Sequence, residues 1–175
     1  MKEIILRVDK NDNVVGEVQR DAAHNGKGVL HRAFLALVFN KKGDKILLAK
    51  RSRFKKLWPG FWDGTVASHQ KKRETLVRSV KREIEEEIGV KVKSSQIKDL
   101  FKFYYRKSFG KIGSEHEICH VLKITLSSKR KISPDNREVS AVKWLNLKKL
   151  QDDIEENPRK YTPWFLIVYN QFFKN

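Results

Sequence analysis

The sequence predicts an α+β fold built in layers, and three observations predict it. Short apolar and β-branched runs recur through residues 3–49 and again through 100–145. A single strongly acidic helical stretch separates the two groups, and an apolar, aromatic-rich stretch closes the chain. Strands, helix, strands and a packing helix within 175 residues give one domain, 1–175, in which helices cover a sheet.

The elements follow in order. Glu3–Val8 alternates as a strand, Lys10-Asn11-Asp12-Asn13 is its turn, and Val14–Val18 returns. Leu35–Phe39 is a buried strand that turns through 40–45 into Ile46–Ala49. Pro59 and Gly60 break Lys56–Gly64 into an aromatic loop, and Thr65–Ala67 is a short strand. A helix covers 72–88, with Leu76, Val80 and Ile84 as its apolar stripe. Leu100–Tyr105 and Glu117–Leu126 are strands joined through Gly110 and Gly113, and Val139–Leu145 is another. Leu147–Asn157 has a helical pattern that Pro158 ends, and Trp164–Phe173 is the closing helix.

Charge and composition narrow the function. The net charge of +17 points to an anionic partner. Its lysines are dispersed as Lys41-Lys42, Lys55-Lys56, Lys71-Lys72 and Lys148-Lys149, with no RNP-like motif, zinc-finger spacing or basic helix. A small anionic molecule is therefore expected, and nucleic acid is not. No apolar run approaches the ~18–20 residues of a membrane span, and Met1–Ile5 lacks a signal-peptide apolar region. One cysteine, Cys119, forms no internal disulfide and fits a reducing cytoplasm. The aromatic content suits a monomer or a homodimer.

The most informative run is Arg82-Glu83-Ile84-Glu85-Glu86-Glu87-Ile88-Gly89-Val90. Glu83, Glu86 and Glu87 stand at i, i+3 and i+4, so three carboxylates share one helical face. Like charges stacked that closely repel, and a divalent cation reverses the sign of the interaction. Mg²⁺ favours hard carboxylate oxygens beside substrate phosphates.

This run resembles the Nudix box, the signature helix of hydrolases that cut nucleoside diphosphates linked to another group. Every position from Arg82 to Val90 matches, Glu74 stands at the required distance, and the leading Gly is replaced by Ser68. The resemblance implies the Nudix fold, a mixed β-sheet sandwiched between helices, with Mg²⁺ on Glu83, Glu86 and Glu87.

A second group of residues has metal-ligand chemistry. His24 and His31 flank a Gly-containing loop, and His69 follows the strand at Thr65–Ala67. Glu115 and Glu117 are two apart and share a strand face, whereas His116 and His120 fall on the other face and read as structural. Three imidazoles and two carboxylates suit Mn²⁺, Zn²⁺ or Fe²⁺.

Over nearly its whole length the chain also resembles type I isopentenyl-diphosphate isomerase, itself of the Nudix fold. Ala22-Ala23-His24 and Leu30–Phe34 look like its N-terminal metal arm (about 1–32), and Ala49–Gly60 like its diphosphate-binding strand and loop. Ser68-His69, Glu115-His116-Glu117 and Tyr161–Phe165 follow in the right order. The resemblance implies that His24, His31, His69, Glu115 and Glu117 hold a divalent metal. It further implies that Arg20, Arg51 and Lys55 hold the diphosphate. Tyr105 and Trp164 would face the isoprenoid chain, the indole face meeting a developing carbocation.

Two departures turn the expected chemistry toward hydrolysis. The isomerase protonates one face of its substrate from a cysteine and uses a glutamate on the other. Here the glutamate is Glu117, but the cysteine position is Ala67. Cys119 shares the face of Glu117 and is expected to be a small buried hydrophobe. An arginine that contacts diphosphate in several isomerases is Glu83 here, and the acidic box is complete.

The sequence therefore predicts a Mg²⁺-dependent hydrolase of a prenyl diphosphate or nucleoside diphosphate derivative on an isomerase-like body. Glu86 is the expected base, Arg82 fixes the box carboxylates, and a main-chain oxygen near Ala67 completes the metal shell. Trp58, Phe61 and Trp62 either stack a base or pack the core. Two alternatives stand beside this reading. One is an isomerase whose proton comes from Ser68 or a water on the metal, and the other is a non-catalytic module that senses a diphosphate or RNA.

Overall fold

In the computed structural model, which describes residues 3–174, one strand organises the sheet. Met1, Lys2 and Asn175 of the expected 1–175 range lie outside the described residues. β1 (Ile4–Val8) and β2 (Val14–Gln19) form an antiparallel hairpin, and α1 (Arg20–Ala23) is a single turn after it. β3 (His31–Asn40) is buried at nine of its ten positions, which explains its unbroken apolar run Ala33–Phe39. It is followed by β4 (Lys45–Arg51), β5 (Trp62–Asp63) and β6 (Val66–His69). Next come α2 (Leu76–Ile88), β7 (Ile97–Phe109) and β8 (Gly113–Leu126). The chain ends with β9 (Val139–Asn146), α3 (Leu147–Glu156) and α4 (Pro163–Phe172).

β8 runs parallel to β3 along its whole length, from His31↔Glu117 to Asn40↔Leu126. On the other edge β3 meets β1, β6 and β4 in succession, all antiparallel. The sheet is therefore mixed, with β7 beyond β8 and β9 beyond β4. Side-chain alternation divides the core in two. Leu35, Leu37, Cys119 and Val121 face α3 and α4, where Trp164, Phe165, Val168 and Tyr169 pack. Phe34, Ala36, Val38, Leu122 and Ile124 face Val80, Ile84 and Ile88 of α2. Helices cover both faces, as an α+β sandwich requires.

Several boundaries move from those expected. β7 extends to 97–109 and β8 starts at Gly113, because the hairpin stays paired from Ile97↔Ile124 to Phe109↔Gly113. Polar residues continue the ladder where apolar alternation stops. α2 begins at Leu76, not at 72, because Arg73 takes φ 63° and Thr75 caps the helix by accepting from Arg78 N at 3.2 Å. Trp58 lies in the core at 5% exposure, and Phe61 and Trp62 pack against that core.

Gly89 ends α2 at φ 70°, where its N–H returns to Glu85 O. A Cβ there would stand 2.8 Å from Ser133 O. Gly89→Ala therefore meets both left-handed strain and a backbone clash. We expect it to lose about 1–3 kcal/mol of stability, read as a lower midpoint in urea unfolding at unchanged m-value.

Candidate active site

Three chain segments far apart in sequence build the first half of the site. The parallel β3–β8 register sets His31 beside Glu117, and the β3–β6 register sets Ala33 beside His69. The turn after α1 brings His24 over them, where its carbonyl accepts from Ser114 N at 2.9 Å. The three imidazoles form a near-equilateral triangle with centroid separations of 4.9, 5.0 and 4.9 Å. With Glu115 and Glu117 they form one group, all five residues buried, whose candidate ligand atoms lie within 4.8 Å of one another.

The rings are aimed from behind. His24 Nδ1 is 2.7 Å from Arg20 O, and His31 Nδ1 is 2.7 Å from Val29 O, which turns both Nε2 atoms inward. His24 Nε2 lies 2.9 Å from Glu115 Oε2, and His31 Nε2 and His69 Nε2 each lie 3.2 Å from Glu117 Oε1. Even so, His31 Nε2, His69 Nδ1 and Glu115 Oε2 are buried with no hydrogen-bond partner. Buried polar atoms left unpaired at such short separations fit a shared cation better than a hydrogen-bond network. The nitrogen and oxygen donor set suits Mn²⁺, Fe²⁺ or Zn²⁺.

Protonation follows the same crowding. Burial pushes the His69 imidazole well below its ordinary value, and His31 and His24 add to the effect. Burial opposes a charge on His24 too, but its contact with Glu115 outweighs that and raises its pKa. Glu117 stays below the usual range despite burial, because the His31 imidazole lies against it and Tyr105 donates to it. Tyr105 Oη donates to Glu117 Oε2 at 2.6 Å.

His24, His69, Tyr105, Glu115 and Glu117 line a cavity of about 560 Å³ together with Arg20, Arg51, Lys55, Ala67, Cys119 and Trp164. Arg51 is tightly held: it donates to Leu57 O at 2.8 Å, approaches Asp63 at 3.5 Å and lies 5.1 Å over the Trp164 ring. Asp63 also accepts from Trp164 Nε1 at 2.9 Å. This buried aspartate positions two predicted substrate contacts, and sequence reasoning missed it within an aromatic loop. Ala67 and Cys119 share the cavity side of the sheet, because their partners Leu35 and Ala33 are two apart on β3. Cys119 is buried, and burial pushes its thiol pKa well up.

The second half is the acidic face of α2. Glu74 makes a two-pronged pair with Arg82, at 3.0 and 2.9 Å, which accounts for its spacing from the box. Arg82 also contacts Glu83, and it reaches Glu86 at 3.2 Å. Glu83 and Glu87 are buried, whereas the Glu86 side chain is 55% exposed. All three line a cavity of about 290 Å³. Burial pushes the Glu87 carboxyl up to about 7, although Lys55 stands 3.7 Å away. A carboxylate so short of compensating charge fits a divalent cation. The two cavities share Arg20, Lys55, Ser68, Arg137 and Glu138. The last two come from an irregular segment whose sequence carried no signal. His116 and His120 stay outside both cavities, on Gly28 O and Asp12.

A mixed sheet between helices, a box helix and a buried His/Glu group define a class of protein. The chain belongs to the Nudix family: the NUDIX domain matches residues 29–165. Within that class its relatives include isopentenyl-diphosphate Delta-isomerases. That of Photorhabdus laumondii is 36% identical over 175 residues, covering 100% of this chain and 97% of the relative. That of Haloarcula marismortui is 38% identical, covering 95% and 89%. Among solved structures, the fold is shared with DR0079 of Deinococcus radiodurans at TM-score 0.69 and 23% identity, covering 89% of this chain and 90% of that one. A MutT Nudix hydrolase of Burkholderia pseudomallei matches at TM-score 0.61 and 24% identity, covering 82% and 98%. Among the described residues no helix is long and apolar enough to cross a membrane.

Two outcomes are expected. Mn²⁺ added to metal-free protein raises Tm, and His31→Ala removes that gain, which a thermal-shift titration reads directly. Glu87 titrates near 7 when folded, above an unfolded glutamate, so its favourable contribution is present at low pH and is lost as pH rises through about 7. Between about pH 5.5 and 8, metal-free wild type should therefore lose stability relative to Glu87→Gln, by on the order of 1–3 kcal/mol in denaturant unfolding.

Proposed function

We propose that the protein is a Mg²⁺-dependent hydrolase of a diphosphate-bearing small molecule, a prenyl diphosphate or a nucleoside diphosphate derivative. One observation carries this reading. The cavity lined by Trp164 and Tyr105 and the cavity lined by the box carboxylates share Arg20, Lys55 and Ser68. A diphosphate anchored on that shared wall has its organic tail in the first cavity and its phosphorus beside Glu83, Glu86 and Glu87.

Bound Mg²⁺ supplies charge neutralisation and a lowered pKa for water at such a site. The chain's own residues do the rest. Arg82 holds Glu83 and Glu86 in one orientation, so the carboxylates meet substrate without rearranging. Glu86, the exposed member, is the proton acceptor. Arg51 and Lys55 offset the charge that builds on the leaving group. Trp58 is committed to the core, which removes it as a base-stacking surface and favours a compact tail.

A second reading, double-bond isomerisation, is favoured by the Tyr105–Glu117 pair and by the names of the relatives. It needs an acid at the edge of the cavity where Ala67 stands, and Ser68 is the nearest hydroxyl along the chain.

NMR of the protein with isopentenyl diphosphate and Mg²⁺ separates the two. Release of phosphate or pyrophosphate without double-bond migration is expected, and Glu86→Gln should slow it by about 100-fold or more. Dimethylallyl diphosphate with phosphorus intact would replace hydrolysis with the second reading.

A further inference from the structure

The segment 127–138 between β8 and β9 is irregular, yet its backbone is pinned to both halves of the site. Ser133 N donates to Ile88 O and Asp135 N to Glu87 O, each at 3.0 Å, so it takes up carbonyls at the C-terminal end of α2. At its other end Ser52 N donates to Glu138 O at 3.0 Å, and Ser52 Oγ donates to Arg137 O. Ser52 directly follows Arg51, so the segment bridges the acidic helix and the cationic strand. Arg137 and Glu138 consequently line both cavities.

Charge makes that placement consequential. The cavity beside α2 is lined by the acids Glu3, Glu83, Glu86, Glu87, Asp135 and Glu138 and by the cations Arg20, Lys55, Lys71 and Arg137. Most of those cations are committed. Lys71 lies 3.5 Å from Glu3 and 3.8 Å from Glu83, and Arg20 lies 3.4 Å from Glu3. Lys55 contacts Glu138 closely and faces Glu87. Arg137 pairs with Asp135, two residues away on its own turn, with Nη2 2.9 Å from Oδ2 and its side chain 83% exposed. An ion pair so exposed contributes little and is cheaply exchanged. A guanidinium, in turn, offers paired donors that match a phosphate.

We propose that Arg137 is a diphosphate-binding residue, exchanging Asp135 for a substrate phosphate where the two cavities meet. The inference rests on the diphosphate chemistry proposed above. It adds a cation from outside the box helix and the β4 strand, on a backbone that the acidic helix itself anchors. Asp135 is then the internal competitor that keeps the arginine over the site when no phosphate is bound.

Calorimetric titration of inorganic pyrophosphate with Mg²⁺ present tests this without turnover. The full chain is compared with Arg137→Gln, Arg137→Lys and Asp135→Asn, each first shown to keep the wild-type Tm. Arg137→Gln should bind about tenfold more weakly, Arg137→Lys should fall between it and wild type, and Asp135→Asn should bind more tightly than wild type. Wild-type affinity in Arg137→Gln, or no gain in Asp135→Asn, overturns the exchange and leaves the hydrolase reading intact. Absence of pyrophosphate binding by wild type overturns both.

Discussion

β3 is paired along both edges, and the placement of the site follows from that pairing. β3 is apolar and buried on both faces from Ala33 to Phe39, so its register against each neighbour is set by side-chain packing over many residues. One edge delivers Glu117 beside His31, and the other delivers His69 beside Ala33. A slip of one residue in either pairing would turn Glu117 or His69 into the opposite layer, among Val80, Ile84 and Ile88. The apolar core thus fixes a polar site that would not assemble by its own attraction.

Such a site is costly when empty of positive charge. Three imidazoles and two carboxylates are buried together, and atoms on three of them lack hydrogen-bond partners. The backbone carbonyls of Arg20 and Val29 hold two rings by Nδ1 with their Nε2 atoms turned inward toward Glu115 and Glu117. The helix acids show the same deficit in a different form. Arg82 serves Glu83 and Glu86, while burial outweighs Lys55 and Arg51 at Glu87, which keeps its proton to about 7. Of the two halves of the site, the His/Glu group could hold a cation of mixed nitrogen and oxygen preference, and in the proposed hydrolase an oxygen-preferring one sits on the helix acids.

The wall common to the two cavities joins these halves. Lys55 reaches it from the turn after β4, Arg20 from the start of α1, and Arg137 and Glu138 from the segment that caps α2. Because that segment bonds to the Glu87 and Ile88 carbonyls, movement of the wall and movement of the acidic helix are mechanically linked. Asp63 plays the corresponding part on the tail side, where it holds Trp164 and Arg51 in contact.

The sequence by itself determined what is local. Helical period put Glu83, Glu86 and Glu87 on one face, strand period put Glu115 and Glu117 together, and Gly89 stopped the helix. The resemblance to the isomerase, more than spacing, marked the three histidines as a group, without giving their distances. Tertiary structure alone decided the rest. Bringing His31 to Glu117 takes a parallel pairing with four strands and a helix between them in the chain, which no local pattern encodes. Arg137 and Glu138 sit in irregular chain, and Asp63 in a two-residue strand, where side-chain direction has no period to read. Trp58 looked equally suited to stacking or to core, and only the packing of Trp164 and Phe109 against it, at 5.1 and 5.0 Å, decided for the core. Periodicity is a property of the backbone and is written along the chain, whereas a meeting of distant segments is a property of the packed sheet.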